Sequence, residues 1–198
     1  MVSDKRHIAP RISEDEALEI FTRPRFSWFG RPVEFFPTAS PEVRPSLELV
    51  WLPSYIVPFH VTSRKGAGVI TVSVEAWSGA FAIFEMHDMV ESGGPLEGEL
   101  FEPRLGEPEA IAQGRDNLLH TILRQRSFGP KPEIRASGEV ELLHYPFWVY
   151  YYERRPGRLD IKLIDAVTGA KGGAKTKSGL LAAFQAASKP ADANSNQH

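Results

Sequence analysis

The 198-residue chain contains no cysteine, which removes disulfides, thiolate nucleophiles, iron–sulfur clusters and every cysteine-ligated zinc site from consideration. A charge imbalance is missing as well. With 23 basic against 25 acidic residues the formal charge is −2, so no global attraction to nucleic acid or to an anionic membrane surface follows. Long apolar runs are also absent. The longest candidates are broken by Pro58, His60 and charged residues, short of the roughly 20 residues that span a bilayer. The opening Met1 to His7 leads into the charged stretch Arg11 to Glu16 without the apolar core of a secretory signal. The expected location is therefore the cytoplasm, with no membrane span and no nucleic-acid partner.

What is present suits a packed protein. Apolar residues make up 42% and charged residues 24% of the chain, near the averages for globular domains. At this length, one domain or two small ones can bury most of their apolar surface.

Ser13 followed by Glu16 is a capping-box spacing, and it predicts a short helix over Glu14–Thr22 with Ala17, Leu18, Ile20 and Phe21 mostly on one face, closed by Pro24. Five prolines between Pro24 and Pro45 predict an extended connection with one short strand at Val33–Phe36. Leu47–Val61 and Val69–Phe84 are rich in β-branched and aromatic residues around Ser63–Gly68, which is turn chemistry, so a hairpin is expected. A loop at Glu91–Gly106 is acidic and rich in glycine and proline. A second helix follows at Pro108–Gln125, with an apolar stripe of Ile111, Leu118, Leu119, Ile122 and Leu123. Val140–Glu153 and Leu159–Val167 read as a second hairpin around Pro156-Gly157. A third helix, Ser178–Ala187, packs through Leu180, Leu181 and Phe184, and the tail from Lys189 is polar.

The two hairpins align with each other. Pro53 falls on Pro146, Tyr55 on Trp148 and Phe59 on Tyr152 at a constant separation of 93 residues. Beyond the turn, Glu75-Ala76-Trp77-Ser78-Gly79 falls on Asp165-Ala166-Val167-Thr168-Gly169 at a separation of 90. The difference lies in the hairpin turn, where length varies most freely. The expected fold is thus α+β, an internal duplication of a helix plus antiparallel β-hairpin unit with a C-terminal helix. Its expected divisions are a first repeat at 1–90, the acidic loop at 91–106, a second repeat plus the last helix at 107–188, and a disordered tail at 189–198. The two sheets would be continuous or face to face. The acid-Ala-x-hydroxyl-Gly ending has a structural explanation: the acid and the hydroxyl bond their own backbone while glycine supplies positive φ.

Tyr145-Pro146-Phe147-Trp148-Val149, a turn, then Ile164-Asp165-Ala166-Val167-Thr168-Gly169 resembles the aromatic hairpin of bacterial PepSY-like domains. The first copy departs from it, with Ser54 and Tyr55 where Phe and Trp stand and Glu75 replacing Asp. The resemblance implies a small sheet with a helix on one face, a cystatin/PepSY-like arrangement. It also implies a noncatalytic sensor, inhibitor or interaction module, and it transfers no catalytic residue.

Gly169 to Thr176 nearly spells a phosphate-binding loop between a strand and a helix. Ala174 stands where the second glycine must let amides close around phosphate, and only 22 residues follow. An NTPase is therefore set aside. A weaker anion site using Lys171, Lys175 and Lys177 is set against a solvated basic loop. If the strand continues, Glu85 and His87 share a face as two ligands of a divalent metal could; a polar strand end is the simpler reading. His60, His120 and His144 lie among apolar neighbours, where a half-buried packing role is the simpler reading. Phe147, Trp148, Tyr150, Tyr151 and Tyr152 put bulky aromatics on both faces of one strand, so both faces need cover.

The functional expectation is a noncatalytic binding or regulatory module, without a cofactor, acting on an unknown protein partner or as a homodimer through an exposed sheet edge or aromatic face. Tyr55, His60, His144, Trp148, Tyr150 and Tyr152 are its candidate contact residues. The alternative is a small-molecule binder or enzyme with a pocket between the repeats, near His60, His87, His144 and Trp148.

Overall fold

The computed structural model describes residues 5–22, 25–26, 32–33, 47–63, 66–124, 131–155 and 158–187. In chain order the elements are β1 (Arg6–Ile8), α1 (Glu14–Thr22), β2 (Arg25–Phe26), β3 (Pro32–Val33), β4 (Leu47–Ser63), β5 (Gly66–Glu75) and β6 (Phe81–Ile83). A 3₁₀ turn at His87–Met89 leads to β7 (Val90–Ser92), β8 (Glu99–Leu100), α2 (Glu107–Arg124), β9 (Glu133–Ala136), β10 (Glu141–Arg155), β11 (Arg158–Asp165) and α3 (Ala174–Ala187). The fold is α+β, with three α-helices among the described residues and mixed β-pairing. The expected strand at Val33–Phe36, the Pro156-Gly157 turn and the tail from Lys189 fall wholly or mostly outside the described residues.

The chain forms two compact units, each assembled from separate stretches. One draws on Met1–Trp51, Asp88–Leu100 and His144–Gly173, the other on Leu52–His87, Phe101–Leu143 and Ala174–His198. These are not the consecutive blocks 1–90 and 107–188. The reason is packing: α1 lies on the β10–β11 hairpin and α2 on the β4–β5 hairpin, so each helix serves the hairpin from the other half of the sequence.

In the first unit, the Ser13 amide donates to Glu16 Oε2 at 2.9 Å and the Glu16 amide to Ser13 Oγ at 3.3 Å. This closes the capping box and starts α1. The Ser13 amide, followed by its hydroxyl, holds the Glu16 carboxyl below its ordinary pKa. β10 and β11 pair antiparallel with Trp148 opposite Ile164, Tyr150 opposite Lys162 and Tyr152 opposite Asp160. Phe21 of α1 stacks on Tyr150 at 5.2 Å, and Ala17 is fully buried. Leu18 is 43% exposed, because two and a half turns of helix present only a narrow face to the sheet. β1 pairs antiparallel with β7, and β4 parallel with β8 through Val50–Glu99 and Trp51–Leu100. β8 and most of β7 lie in the stretch expected to be a loop, and β1 lies where no element was expected. Pairing, rather than local propensity, holds segments of two or three residues.

In the second unit, β4 and β5 pair from Ser54–Glu75 to Ser63–Gly66. β6 joins the far edge of β5 at Val72–Val74, and β9 joins β4 at Phe59–Thr62. Val69–Phe84 is therefore two strands separated by a turn after Glu75. α2 covers Val57, Phe59, Val61, Val72 and Val74 with Ala110 and Leu118. Contact is closest at Gly114, where a Cβ would stand 3.2 Å from both Phe59 and Val74. α3 starts four residues earlier than expected and buries Leu180 and Ala183, while Phe184 meets Phe101 edge-on at 5.2 Å. Leu181 points outward, contrary to the expected packing role.

One turn occurs in both units with the same hydrogen bonds. In the second, the Glu75 amide donates to Ala80 O, the Gly79 amide to Glu75 O, and the Trp77 and Ser78 amides to the Glu75 carboxylate at 2.6 and 2.8 Å. In the first, the Asp165 amide donates to Ala170 O, the Gly169 amide to Asp165 O, and the Val167 and Thr168 amides to Asp165 Oδ1 at 2.8 and 3.0 Å. Gly79 and Gly169 sit at φ +65° and +72°, where only glycine avoids a Cβ clash. The parallel extends to the helix starts. Ala76 O accepts the Arg104 and Leu105 amides, and Ala166 O accepts those of Arg11 and Ile12.

Candidate functional site

The aromatic residues singled out in the sequence serve mainly as ties. The Tyr55 hydroxyl donates to Leu105 O at 3.0 Å, at the entrance to α2; burial first, and Glu107 second, push its pKa up. In the other unit the Trp148 indole donates to Ile12 O at 2.7 Å, at the entrance to α1. Tyr150 is stacked beneath Phe21, and burial raises its pKa. Tyr152 donates to Asp160 Oδ2 at 3.1 Å, and Lys162 Nζ stands 4.9 Å from its ring. The Tyr145 hydroxyl donates to Asp165 Oδ2 at 2.9 Å, and burial, then Asp165, raises its pKa strongly. The motif behind the PepSY-like resemblance is thus an internal lock joining strand, turn and helix entrance.

The histidines lie apart from one another in role. His60 is exposed, on the sheet face away from α2, in line with Val69 and Arg135 on the flanking strands. His144 is 5% exposed, with Nδ1 3.4 Å from Arg6 O. His87 does not share a strand face with Glu85. β6 ends at Ile83, Phe84 is buried, and the His87 ring packs edge-on against Phe84 at 4.9 Å. Among the described residues, no three His, Asp or Glu side chains are grouped as metal ligands. No helix among them is long and apolar enough to cross a membrane.

The three candidate lysines are divided between the two units. Lys171 belongs to the first unit, where it bridges Ile164 at the edge of β11. Lys175 and Lys177 stand on α3 in the second unit. Lys177 is half-buried, whereas Lys175 lines a shallow cleft of about 180 Å³ with Trp77, Ser78, Arg104, Ser178, Gly179 and Ala182. This cleft brings together residues from the Glu75–Ala80 turn, the loop before α2 and one face of α3. Ser78 is fixed by Glu75, and the Trp77 indole donates to Glu102 O at 2.8 Å. Arg104 escaped notice in the sequence because it stands alone in a loop, and Trp77 was given only a structural role, within the repeated turn. The signal that could have found Arg104 is its place two residues before the glycine that opens α2.

A second polar group was also missed. In the first unit the Tyr151 hydroxyl donates to Glu48 Oε2 at 2.8 Å, and burial, then Glu48, raises the pKa of nearby Glu99. Fold and site together define an α+β protein in which Glu75, Asp165, Tyr55 and Trp148 secure turns and helix entrances. Compared with known proteins, the chain matches no family model, no curated protein and no solved structure.

Proposed function

We propose that the chain is a noncatalytic binding module that associates with a second copy of itself by adding strand to strand along β5. The observation that carries this reading is the outer edge of β5. β6 covers it only at Val72–Val74, so Gly66–Ile70 has no β partner on that side among the described residues, and Val69 is 62% exposed. Exposed edges of this kind template pairing unless charge or a bulge blunts them. Gly66-Ala67-Gly68-Val69-Ile70 carries no charge, so two copies meet antiparallel without repulsion, and its small side chains permit close approach.

The scaffold reading is a duplication of one helix-and-hairpin unit, with helices exchanged between hairpins. The matched turns, the matched helix entrances and the constant separations of 93 and 90 residues support it. The engagement of Glu75, Asp165, Tyr55, Tyr145 and Trp148 in internal hydrogen bonds supports a noncatalytic module of the PepSY-like kind. These groups hold the backbone and are not presented to a substrate.

Sedimentation velocity across a micromolar-to-millimolar concentration series tests the association. The wild-type chain is expected to dimerise, and Val69→Lys to stay monomeric with an unchanged thermal midpoint, since the side chain points to solvent. A wild-type chain that stays monomeric throughout, or a Val69→Lys variant that still dimerises, removes the edge from the account.

A further inference from the structure

We infer that the cleft on the second unit is a binding site for a small oxyanion, a phosphate or a phosphate monoester, held by Arg104 and Lys175. Both residues line the same shallow cleft, both are exposed, and among the described residues neither has an ion-pair partner. Two cationic residues lining one concavity repel each other, and a dianion bound there would offset that repulsion while offering each a charge-assisted hydrogen bond.

The remaining wall fits the same ligand. Ser178 lines the same cleft, so a hydroxyl adds a third kind of donor to the guanidinium and the ammonium group, a set that suits a tetrahedral anion. Gly179 and Ala182 keep the α3 side of the cleft open. Gly179 also brings the helix against the turn, since a Cβ there would come within 2.8 Å of Ser78 Cβ and 3.2 Å of Glu75 Oε2. The carboxylate below the floor is no rival for the cations. Glu75 already accepts the Trp77 and Ser78 amides and the Ser78 hydroxyl.

Size narrows the class further. About 180 Å³ is below the range of about 300–1,000 Å³ typical of drug-sized ligands, which favours a phosphate with at most a small attached group. The half-exposed Trp77 ring is the apolar wall such a group would meet. The first unit matches the turn and Arg11 matches Arg104 by backbone bonding, but α3, with Lys175 and Ser178, belongs to the second unit. The inference stands independently of the strand-edge reading.

A ¹⁵N–¹H titration of the full chain with inorganic phosphate, against sodium chloride at matched ionic strength, tests the site. Saturable shifts of the Trp77 indole N–H and the Gly179 amide are expected, with a dissociation constant in the millimolar range. Arg104→Gln and Lys175→Gln should each weaken binding roughly tenfold. Arg104→Lys should lose less, and the double variant Lys171→Gln/Lys177→Gln should bind as the wild type does. Each variant's thermal midpoint reports whether it folds, and Arg104→Lys keeps the test valid if a glutamine variant does not. Phosphate shifts that follow ionic strength alone, or an equal loss in the Lys171/Lys177 variant, would overturn the inference in favour of a solvated basic loop.

Discussion

Single side chains here are mostly spent on geometry, and Glu99 is the clearest one spent at a loss. Burial and the neighbouring Glu48 raise its pKa, so folding favours its protonated form. A raised carboxyl adds stability that is fully present below the unfolded-state value, near 4.3, and is lost as pH rises through the folded-state value. At pH 7 an ionised Glu99 therefore opposes the fold, chiefly through its burial. Glu99→Gln is expected to stabilise the chain at pH 7 by about 0.5 kcal/mol after solvent screening, or about 1–2 °C in Tm. The gain should vanish below about pH 4. Circular dichroism melts at both pH values measure it, and a gain of equal size at both would show that the carboxylate charge is not the cause. At this scale Lys175 was legible, because a basic residue in a near-phosphate loop attracts attention. Its partner Arg104 was not, because the two are 71 positions apart in the sequence and no local pattern links them.

Among the elements, the long ones declared themselves. α1 and α2 carry helical periodicity and capping residues, the two hairpins carry β-branched and aromatic runs, and their bounds agree with the expected ones to within a few residues except at Val69–Phe84, which the turn after Glu75 divides into β5 and β6. β1, β7, β8 and β9 did not, since two to four residues hold no period and owe their conformation to partners distant in sequence. The acid-Ala-x-hydroxyl-Gly turn lies between these cases: its bonding was readable from residue types, its partners at the helix entrances were not. Gly169→Ala is expected to cost about 1–2 kcal/mol from positive φ alone, because the new methyl would make only ordinary contacts with Ile12 and Ile20. Gly79→Ala should cost more, since its methyl also displaces the Gln113 carboxamide. Urea unfolding of both variants checks the order, and a neutral result at either position would contradict the role given to the turn.

At the scale of the whole molecule, the interleaving of the units sets what can be cut. Fragment 1–90 holds α1 without β10–β11 and the β4–β5 hairpin without α2, and fragment 91–198 has the converse lack. Each alone is expected to melt without a cooperative transition, and an equimolar mixture to regain one, as followed by calorimetry. A cooperative melt of either fragment near the midpoint of the full chain would mean that the helices do not need the hairpins they pack on. The tie from Trp148 to Ile12 spans 136 residues. At ribosomal rates of about 5–20 residues per second, α1 is made on the order of ten seconds before the strand that shelters it. Through that interval Phe21 and Ile20 travel without the strand that covers them, so α1 waits exposed on the nascent chain until β10 is made.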